Sequence, residues 1–255
     1  MNKVEHQNKH FQSISEEYYA ARQNKNHLLF KKLLFKYVLH DLCVDSQKKI
    51  CVLEPMCGYG EGRKIISKFV TKNIDYEGFD YSDSLIQKVK DENPQINIYK
   101  QDVTTFSTDK KYDIIILLGG LHHVPDYAAK VCKNMSNALK PGGFFINFEP
   151  TNNNFVVAMV RNIIYKKNHL FDELTEHDFS LKELNDFYEK AGLRLYRQYY
   201  PGLLAYVLYY NPDAFPGLNI GGSQMVNRLF KLERRLYNNW FGRIFSFCTF
   251  SILQK

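Results

Sequence analysis

The sequence has 255 residues, of which 45% are hydrophobic and 24% charged, and this composition is typical of a globular protein. The length suits one α/β domain with additions. No apolar run approaches the roughly 20 residues that span a bilayer, and the first ten residues lack the apolar stretch of a signal peptide. We therefore expect a single cytoplasmic domain over residues 1–255.

The formal net charge is +7, and the basic surplus belongs to the two ends of the chain. Residues 1–40 carry seven Lys/Arg against three Asp/Glu, and residues 151–255 carry thirteen against nine. Residues 51–150 carry twelve against thirteen. Basic flanks suit an anionic small molecule or an acidic surface, although a solvated surface with surplus lysine explains the charge equally well.

The cysteines predict neither a disulfide framework nor a metal site. They are odd in number and scattered, and none forms a C-x-x-C pair. The five are Cys43, Cys51, Cys57, Cys132 and Cys248.

The N-terminal region and the centre differ in pattern. Residues 12–42 predict two helices, the second with a wide apolar stripe. From 50 to 149, five short apolar runs alternate with amphipathic segments; the runs are 50–54, 75–80, 95–100, 112–118 and 144–148. Nearly continuous apolar strands that alternate with helices predict a parallel sheet with helices on both faces.

The last third of the sequence is less regular. Residues 155–165 and 181–190 predict helices, and 224–238 predict a basic amphipathic helix. Residues 193–200 and 243–255 alternate as strands do.

Residues 50–62, ICVLEPMCGYGEG, carry the most informative pattern. An apolar strand ends at Glu54, and glycines follow at Gly58, Gly60 and Gly62 before a helical segment. A strand, an acid, a glycine turn and a helix bind nucleotide-like ligands at the end of a parallel strand. Glycine permits positive φ and close approach of the backbone.

This stretch resembles the first motif of the class I S-adenosylmethionine-dependent methyltransferases, and three later segments resemble that family in the expected order. They are EGFDYSDSLI (77–86), QDVTTF (101–106) and YDIIILLGGLHHVPD (112–126) with LKPGGFFINFEP (139–150). The resemblance implies a Rossmann-like, seven-stranded, mostly parallel sheet whose last strand is antiparallel. It also implies an N-terminal helical lid (1–45), a cofactor core (48–150), and a substrate cap with the final strand pair (151–255), with an insertion over 201–242.

The resemblance places the cofactor S-adenosylmethionine on the ends of the predicted strands. Glu54, Gly58 and Gly60 would line its methionine end, and Asp80 would hold the ribose hydroxyls. The other implied contacts come from Tyr81, which stacks on adenine, from Asp102 and Val103 at the adenine edge, and from Leu118 and Gly119 near the sulfonium. Met56 departs from the pattern, because the family usually has its first glycine there.

Two alternatives to these assignments stay open. Asp80 and Asp102 would also serve as caps of strand ends, and Asp80 lies 20 residues beyond Gly60, as a nicotinamide-dinucleotide site requires. Against an NAD(P)-dependent oxidoreductase, the glycines run G-x-G-x-G and no Lys/Tyr pair follows.

His123 is the predicted catalytic base, since a histidine can remove a proton near neutral pH and the position matches a base of some small-molecule methyltransferases. The alternative is a loop histidine that packs under the cofactor. Tyr18 and Tyr19 in the lid, and Asn147 and Glu149 after the fifth strand, are the predicted substrate contacts.

The acceptor is predicted only by class. N-P-P-[YF], which marks adenine or amide methylation in the family, is replaced by LLGG (117–120), and no basic patch interleaved with aromatic residues indicates a nucleic-acid groove. A hydroxyl or amine of a small molecule, such as a sugar or secondary metabolite, is therefore favoured. A catalytically silent, cofactor-binding partner in a complex is the second class of protein that fits.

Overall fold

The computed structural model describes residues 19–45, 47–153, 159, 178–212 and 216–255. Within these ranges no helix is both long enough and apolar enough to cross a membrane. The predicted helix over 155–165 and most of the predicted helix over 12–24 lie outside the described residues.

Seven strands form one sheet in the order β3-β2-β1-β4-β5-β7-β6. The strands are β1 (Ile50–Pro55), β2 (Ile74–Asp80), β3 (Ile98–Lys100), β4 (Tyr112–Leu118), β5 (Leu139–Pro150), β6 (Arg194–Tyr199) and β7 (Cys248–Gln254). β1 pairs in parallel with β2 and with β4, β2 with β3, and β4 with β5. The carboxyl ends of these five strands therefore meet at one edge of the sheet.

The last strand runs against its neighbour β5. The Gly142 N–H donates to the Lys255 carbonyl at 3.1 Å, whereas the Thr151 N–H donates to the Phe247 carbonyl at 3.0 Å. Residue numbers along β5 therefore increase in the direction in which those along β7 decrease, so the two strands are antiparallel. The predicted α/β fold, a mostly parallel seven-stranded Rossmann-like sheet, is confirmed.

Helices alternate with the parallel strands, as predicted. They are α1 (Lys25–Val38), α2 (Glu61–Phe69), α3 (Asp83–Glu92), α4 (Ala128–Ala138), α5 (Leu181–Lys190), α6 (Leu204–Tyr209), α7 (Ser223–Glu233) and α8 (Trp240–Phe245). The last three fall between β6 and β7, where the sequence predicts an insertion.

The centre of the sheet is fully buried. Ile114 to Leu117 in β4 and Val52 and Leu53 in β1 are completely buried. A parallel sheet is covered on both faces, so its central strands need apolar side chains at successive positions. This requirement is why YDIIILL is the most apolar run of the sequence.

Four elements differ from their predicted bounds, and one of them is α7, which ends at Glu233 rather than at 238. β7 begins at Cys248 because residues 243–245 belong to α8, which Asn239 caps by accepting a hydrogen bond from the Gly242 N–H at 3.1 Å. β5 extends from Leu139 through the predicted turn at 140–143, with an irregular register opposite Tyr112 and Ile114. β3 has only three residues.

The chain divides into two compact units, which we describe separately. Leu39–Glu149, Lys182–Arg197 and Ser251–Lys255 form one unit, which contains the glycine loop and the motifs that follow it. The remainder, Met1–Val38, Pro150–Leu181 and Gln198–Phe250, forms the other. The predicted boundaries at 45 and 150 and the single domain stay predictions.

Candidate active site

The loop between β1 and α2 adopts the backbone that its glycines predict. Gly58 and Gly60 have φ of 47° and 67°, in the left-handed region that favours glycine. The Cys57 N–H donates to the Phe79 carbonyl at 3.0 Å and thereby fastens the loop to β2. Met56 has φ of 52°, the one positive value at a non-glycine position in the described residues.

Glu54 lies beneath this loop. Its carboxylate accepts hydrogen bonds from the Gly62 N–H at 2.7 Å, the Arg63 N–H at 3.1 Å and the Tyr76 hydroxyl at 2.7 Å. Burial raises the pKa of Glu54 to about 7. The sequence predicts that Glu54 lines the cofactor. The structure instead encloses its carboxylate, because the first turn of α2 has unpaired N–H groups that need acceptors.

Asp80 ends β2 beside the same loop. One carboxylate oxygen accepts from the Gly58 N–H at 2.9 Å, and the other accepts from the Ser82 N–H at 3.0 Å. The side chain is half-buried, and burial raises its pKa above the ordinary value. Tyr81 follows and is half-buried, with the Lys100 ammonium 5.7 Å from its ring centroid.

Asp102 and Val103 follow β3, next to Asp80. The Gln101 N–H donates to the Asp80 carbonyl at 3.0 Å, so the segment continues alongside β2. Asp102 accepts hydrogen bonds from the Thr104 N–H and hydroxyl, each at 2.7 Å, through one oxygen. Val103 is buried.

Leu118 and Gly119 end β4. The Gly119 N–H donates to the Phe148 carbonyl at 2.7 Å, and Gly119 has φ of 66°. Both residues are half-buried. A β-carbon on Gly119 would have the Cε1 of His122 as its nearest neighbour, at 3.6 Å.

The predicted cofactor residues thus come together at the carboxyl edge of adjacent parallel strands, where open α/β sheets bind ligands. Among the described residues, no atom lies within 4 Å of the position that a β-carbon on Gly58 would occupy. Asp80 keeps one lone pair on each oxygen for further donors. These features fit an adenosine cofactor, whereas the Glu54 carboxylate is buried beneath the loop.

His122 is the functional candidate that the sequence interpretation missed. Its Nδ1 lies 2.8 Å from Glu149 Oε2. The same carboxylate accepts from the Gly120 and Leu121 N–H groups, each at 3.0 Å. An ionised carboxylate only accepts hydrogen bonds, so Nδ1 is the donor in this contact. The sequence does contain a signal for this pair: an acid at the end of β5 and two histidines after β4. The carboxyl ends of these two parallel strands meet at one edge of the sheet.

Asn147 and Glu149 are the predicted substrate contacts that follow the fifth strand, and their contact with a substrate stays a prediction. Both are buried. The Tyr188 hydroxyl donates to Asn147 Oδ1 at 2.9 Å, and Asn147 Nδ2 donates to Glu149 Oε1 at 3.1 Å. These side chains form a buried network that ends at His122.

His123 shares the 3₁₀ turn Leu121–His123 with His122. It is half-buried, and its ring centroid lies 3.9 Å from that of His122. Tyr18 lies outside the described residues. Tyr19 is half-buried and belongs to the other unit, so its contact with a substrate stays a prediction. No group of three potential metal ligands occurs in the described residues.

Comparison with known proteins gives one family. A protein-family model described as "Methyltransferase domain" matches residues 52–143. The demethylmenaquinone methyltransferase of Staphylococcus haemolyticus (strain JCSC1435) is 25% identical over 204 residues, which are 71% of this chain and 83% of the relative. The enzyme of that name from Staphylococcus aureus (strain JH9) is 26% identical, with 71% and 82% covered.

Solved structures show the same fold. A putative sarcosine dimethylglycine methyltransferase from Galdieria sulphuraria superposes with a TM-score of 0.57 at 18% identity, covering 90% of this chain and 84% of that one. A cyclopropane synthase from Mycobacterium tuberculosis gives 0.60 at 14% identity, covering 88% and 83%. The family match, these relatives and the shared fold support a class I S-adenosylmethionine-dependent methyltransferase.

Proposed function

We propose that the enzyme transfers a methyl group to a hydroxyl, or an amine, of a small molecule, and that His122 removes the acceptor's proton. The observation that carries the proposal is the 2.8 Å contact between His122 Nδ1 and the buried Glu149 carboxylate. A histidine oriented by a carboxylate is the arrangement that general-base catalysis uses.

The cofactor contacts are assigned to the strand ends. Asp80 would hold the ribose hydroxyls, Asp102 and Val103 the adenine edge, and Gly58 and Gly119 the backbone contacts nearer the sulfonium. When bound, S-adenosylmethionine supplies an activated methyl group. Glu54 contributes from below, since it holds the first turn of α2 and the glycine loop in place.

Glu149 has two tasks in this proposal. Its hydrogen bonds to Gly120 and Leu121 fix the loop that follows β4. Its bond to His122 fixes the tautomer of the ring and stabilises the imidazolium that forms when Nε2 accepts a proton. Because Gly119 borders His122 Cε1, the ring lies next to the predicted methyl-transfer position. We therefore propose His122, rather than the predicted His123, as the base.

Two acceptor classes are proposed. The first is a hydroxylated small molecule such as a sugar or secondary metabolite. The second, in place of a hydroxyl or amine, is a ring carbon of demethylmenaquinone, the acceptor named for the Staphylococcus relatives, which match 71% of this chain. A cytoplasmic site of action stays part of the proposal.

Two measurements test the proposed function. Calorimetry with S-adenosylmethionine and with NAD should show binding of the first alone; NAD binding without S-adenosylmethionine binding would contradict the proposal. The protein is then incubated with methyl-labelled S-adenosylmethionine and either demethylmenaquinone or hydroxylated metabolites. We expect label in one of these acceptors. Tight cofactor binding with no labelled acceptor in a full metabolite extract would instead indicate a catalytically silent partner.

A further inference from the structure

Helix α8 carries its apolar side chains on the side that faces solvent. Trp240 is 70% exposed, and Phe241, Ile244 and Phe245 are 38%, 38% and 39% exposed. At 100° per residue these four positions form one arc of about 140°. Gly242, on the opposite side, is buried: a β-carbon there would stand 2.1 Å from the Leu236 carbonyl oxygen. An ordinary surface helix instead turns its apolar side chains toward the core.

The aromatic rings of this face contact one another. The centroids of Trp240 and Phe241 are 6.0 Å apart, and those of Phe241 and Phe245 are 4.7 Å apart. A contiguous apolar cluster of this kind marks an interaction surface, whereas single exposed apolar residues do not.

Basic side chains lie close to the cluster along the chain. Arg243 lies on α8 itself, Arg234 and Arg235 lie in the turn between α7 and α8, and Lys231 lies on the last turn of α7; all four are exposed. Residues 216–255 contain six Lys/Arg and a single acid, Glu233. Glu233 is buried, and both its oxygens accept hydrogen bonds from the Ala205 N–H. Residues 216–255 therefore present apolar rings and exposed basic side chains, and they contain no exposed acid.

We propose that this surface, which we call the α8 patch (Lys231, Arg234, Arg235 and Trp240–Phe245), docks on an anionic lipid membrane. Trp and Phe are suited to the boundary between headgroups and acyl chains, and Lys and Arg to the anionic headgroups above it. A six-residue helix with one apolar arc is able to lie in that boundary.

A second copy of the chain fits the patch less well. A two-fold contact would place the patch of one copy on the same patch of the other, so the arginines would face each other. Stable dimers also bury about 800 Å² per partner. Four partly exposed side chains offer well under that, since a fully buried aromatic residue contributes only about 150–250 Å².

The experiment uses the full chain and vesicles of phosphatidylcholine, either pure or mixed equally with phosphatidylglycerol. Trp240 is the only tryptophan in the sequence, so its fluorescence reports on the patch directly. We expect co-sedimentation and a blue shift of the emission with the mixed vesicles. We expect neither with pure phosphatidylcholine, and added salt should weaken the binding.

Two variants and two matched controls test the residues. Arg234→Gln/Arg235→Gln should lower partitioning about thirtyfold, the equivalent of ~1 kcal/mol per basic residue. Phe241→Ser/Ile244→Ser should lower it by about tenfold or more. The exposed residues Arg197 and Leu195 lie outside the patch, so Arg197→Gln and Leu195→Ser should partition as the parent does. All substitutions are at exposed positions, and circular dichroism checks the fold.

Three results would overturn the proposal. They are failure to bind the mixed vesicles, binding that the patch variants leave unchanged, and a dimer in light scattering that Phe241→Ser/Ile244→Ser converts to monomer. The last would assign the patch to a second copy of the chain.

Discussion

The sulfur of Met56 lies 2.9 Å from the point that a β-carbon on Gly120 would occupy. Leu117 Cδ2 lies 2.9 Å from the same point, on the buried strand β4. Met56 stands where the family usually has a glycine, and it does so with a φ of 52°. The loop after β1 therefore accommodates the larger side chain by packing it against the loop after β4, at a position where only glycine leaves room.

Gly120→Ala should destabilise the protein by about 1–3 kcal/mol, because the added methyl group overpacks a closed site. In a Met56→Gly background the same change should cost less, since one of the two obstacles is gone. Urea unfolding of the four proteins gives the coupling energy, which we expect at about 0.5–3 kcal/mol.

The control for this cycle is Gly217→Ala, where a β-carbon would meet no atom of the described part of the chain within 4 Å. It should leave stability nearly unchanged in both backgrounds. Strict additivity of Met56→Gly and Gly120→Ala would show that the two residues do not pack as described.

Asp80→Asn should weaken S-adenosylmethionine binding by tenfold or more, because a hydrogen bond to a charged group contributes about 1.5–3 kcal/mol. The variant keeps one oxygen acceptor for the loop N–H groups. Asp83→Asn is the matched control, since Asp83 is an exposed acid three residues along the chain. Calorimetry is the measurement; equal affinity of the parent and Asp80→Asn would remove Asp80 from the cofactor site.

The sheet and the edge that carries the site could be predicted from local pattern alone. Apolar runs such as YDIIILL can be buried only as central strands, and residues that follow parallel strands must meet at one edge. Glycines with positive φ, such as Gly58 and Gly60, are likewise a local property.

The sequence could not distinguish the roles of neighbouring polar residues. The sequence predicts ligand contacts for Glu54, Asn147 and Glu149, and in the structure these side chains also form hydrogen bonds within the protein. His122 and His123 are adjacent in one turn. Only the hydrogen bond to Glu149, 27 positions later, determines which ring is oriented, and such a contact has no local signature.

The stability of the protein should fall as pH rises from about 4.5 to about 7. Burial raises the pKa of Glu233 from 4.5 to about 7. In that interval the folded state holds a proton that the unfolded state has released, so raising the pH favours unfolding; above the interval this contribution is constant. For one such residue the total change is about 3 kcal/mol.

Glu233→Gln should remove much of this slope, because glutamine still offers an oxygen to the Ala205 N–H but does not ionise. Urea unfolding across the interval is the measurement. Glu54, with a pKa also raised to about 7, should retain its own share of the slope in that variant. A Glu233→Gln slope identical to that of the parent would contradict the assignment.

His122→Ala should lower turnover by about 10²–10⁴ while leaving S-adenosylmethionine affinity almost unchanged, because general-base catalysis contributes that range to the rate. His123→Ala should have a much smaller effect, since the hydrogen bond to Glu149 belongs to His122. His40→Ala serves as the control at an exposed histidine. The measurements are single-turnover kinetics with the methyl acceptor and calorimetry with the cofactor.

The variant Glu149→Gln keeps the His122 ring but removes the carboxylate that orients it, so it tests the effect of orientation alone. The Glu149 carboxylate now accepts hydrogen bonds from both His122 and the loop after β4. An amide has only one oxygen and an N–H₂ group at these positions. The His122 ring would therefore lose its fixed tautomer. Turnover should fall and its pH profile should shift, whereas a purely structural role would lower stability and cofactor affinity with the profile unchanged. A larger loss of turnover in His123→Ala than in His122→Ala would return the role of base to His123.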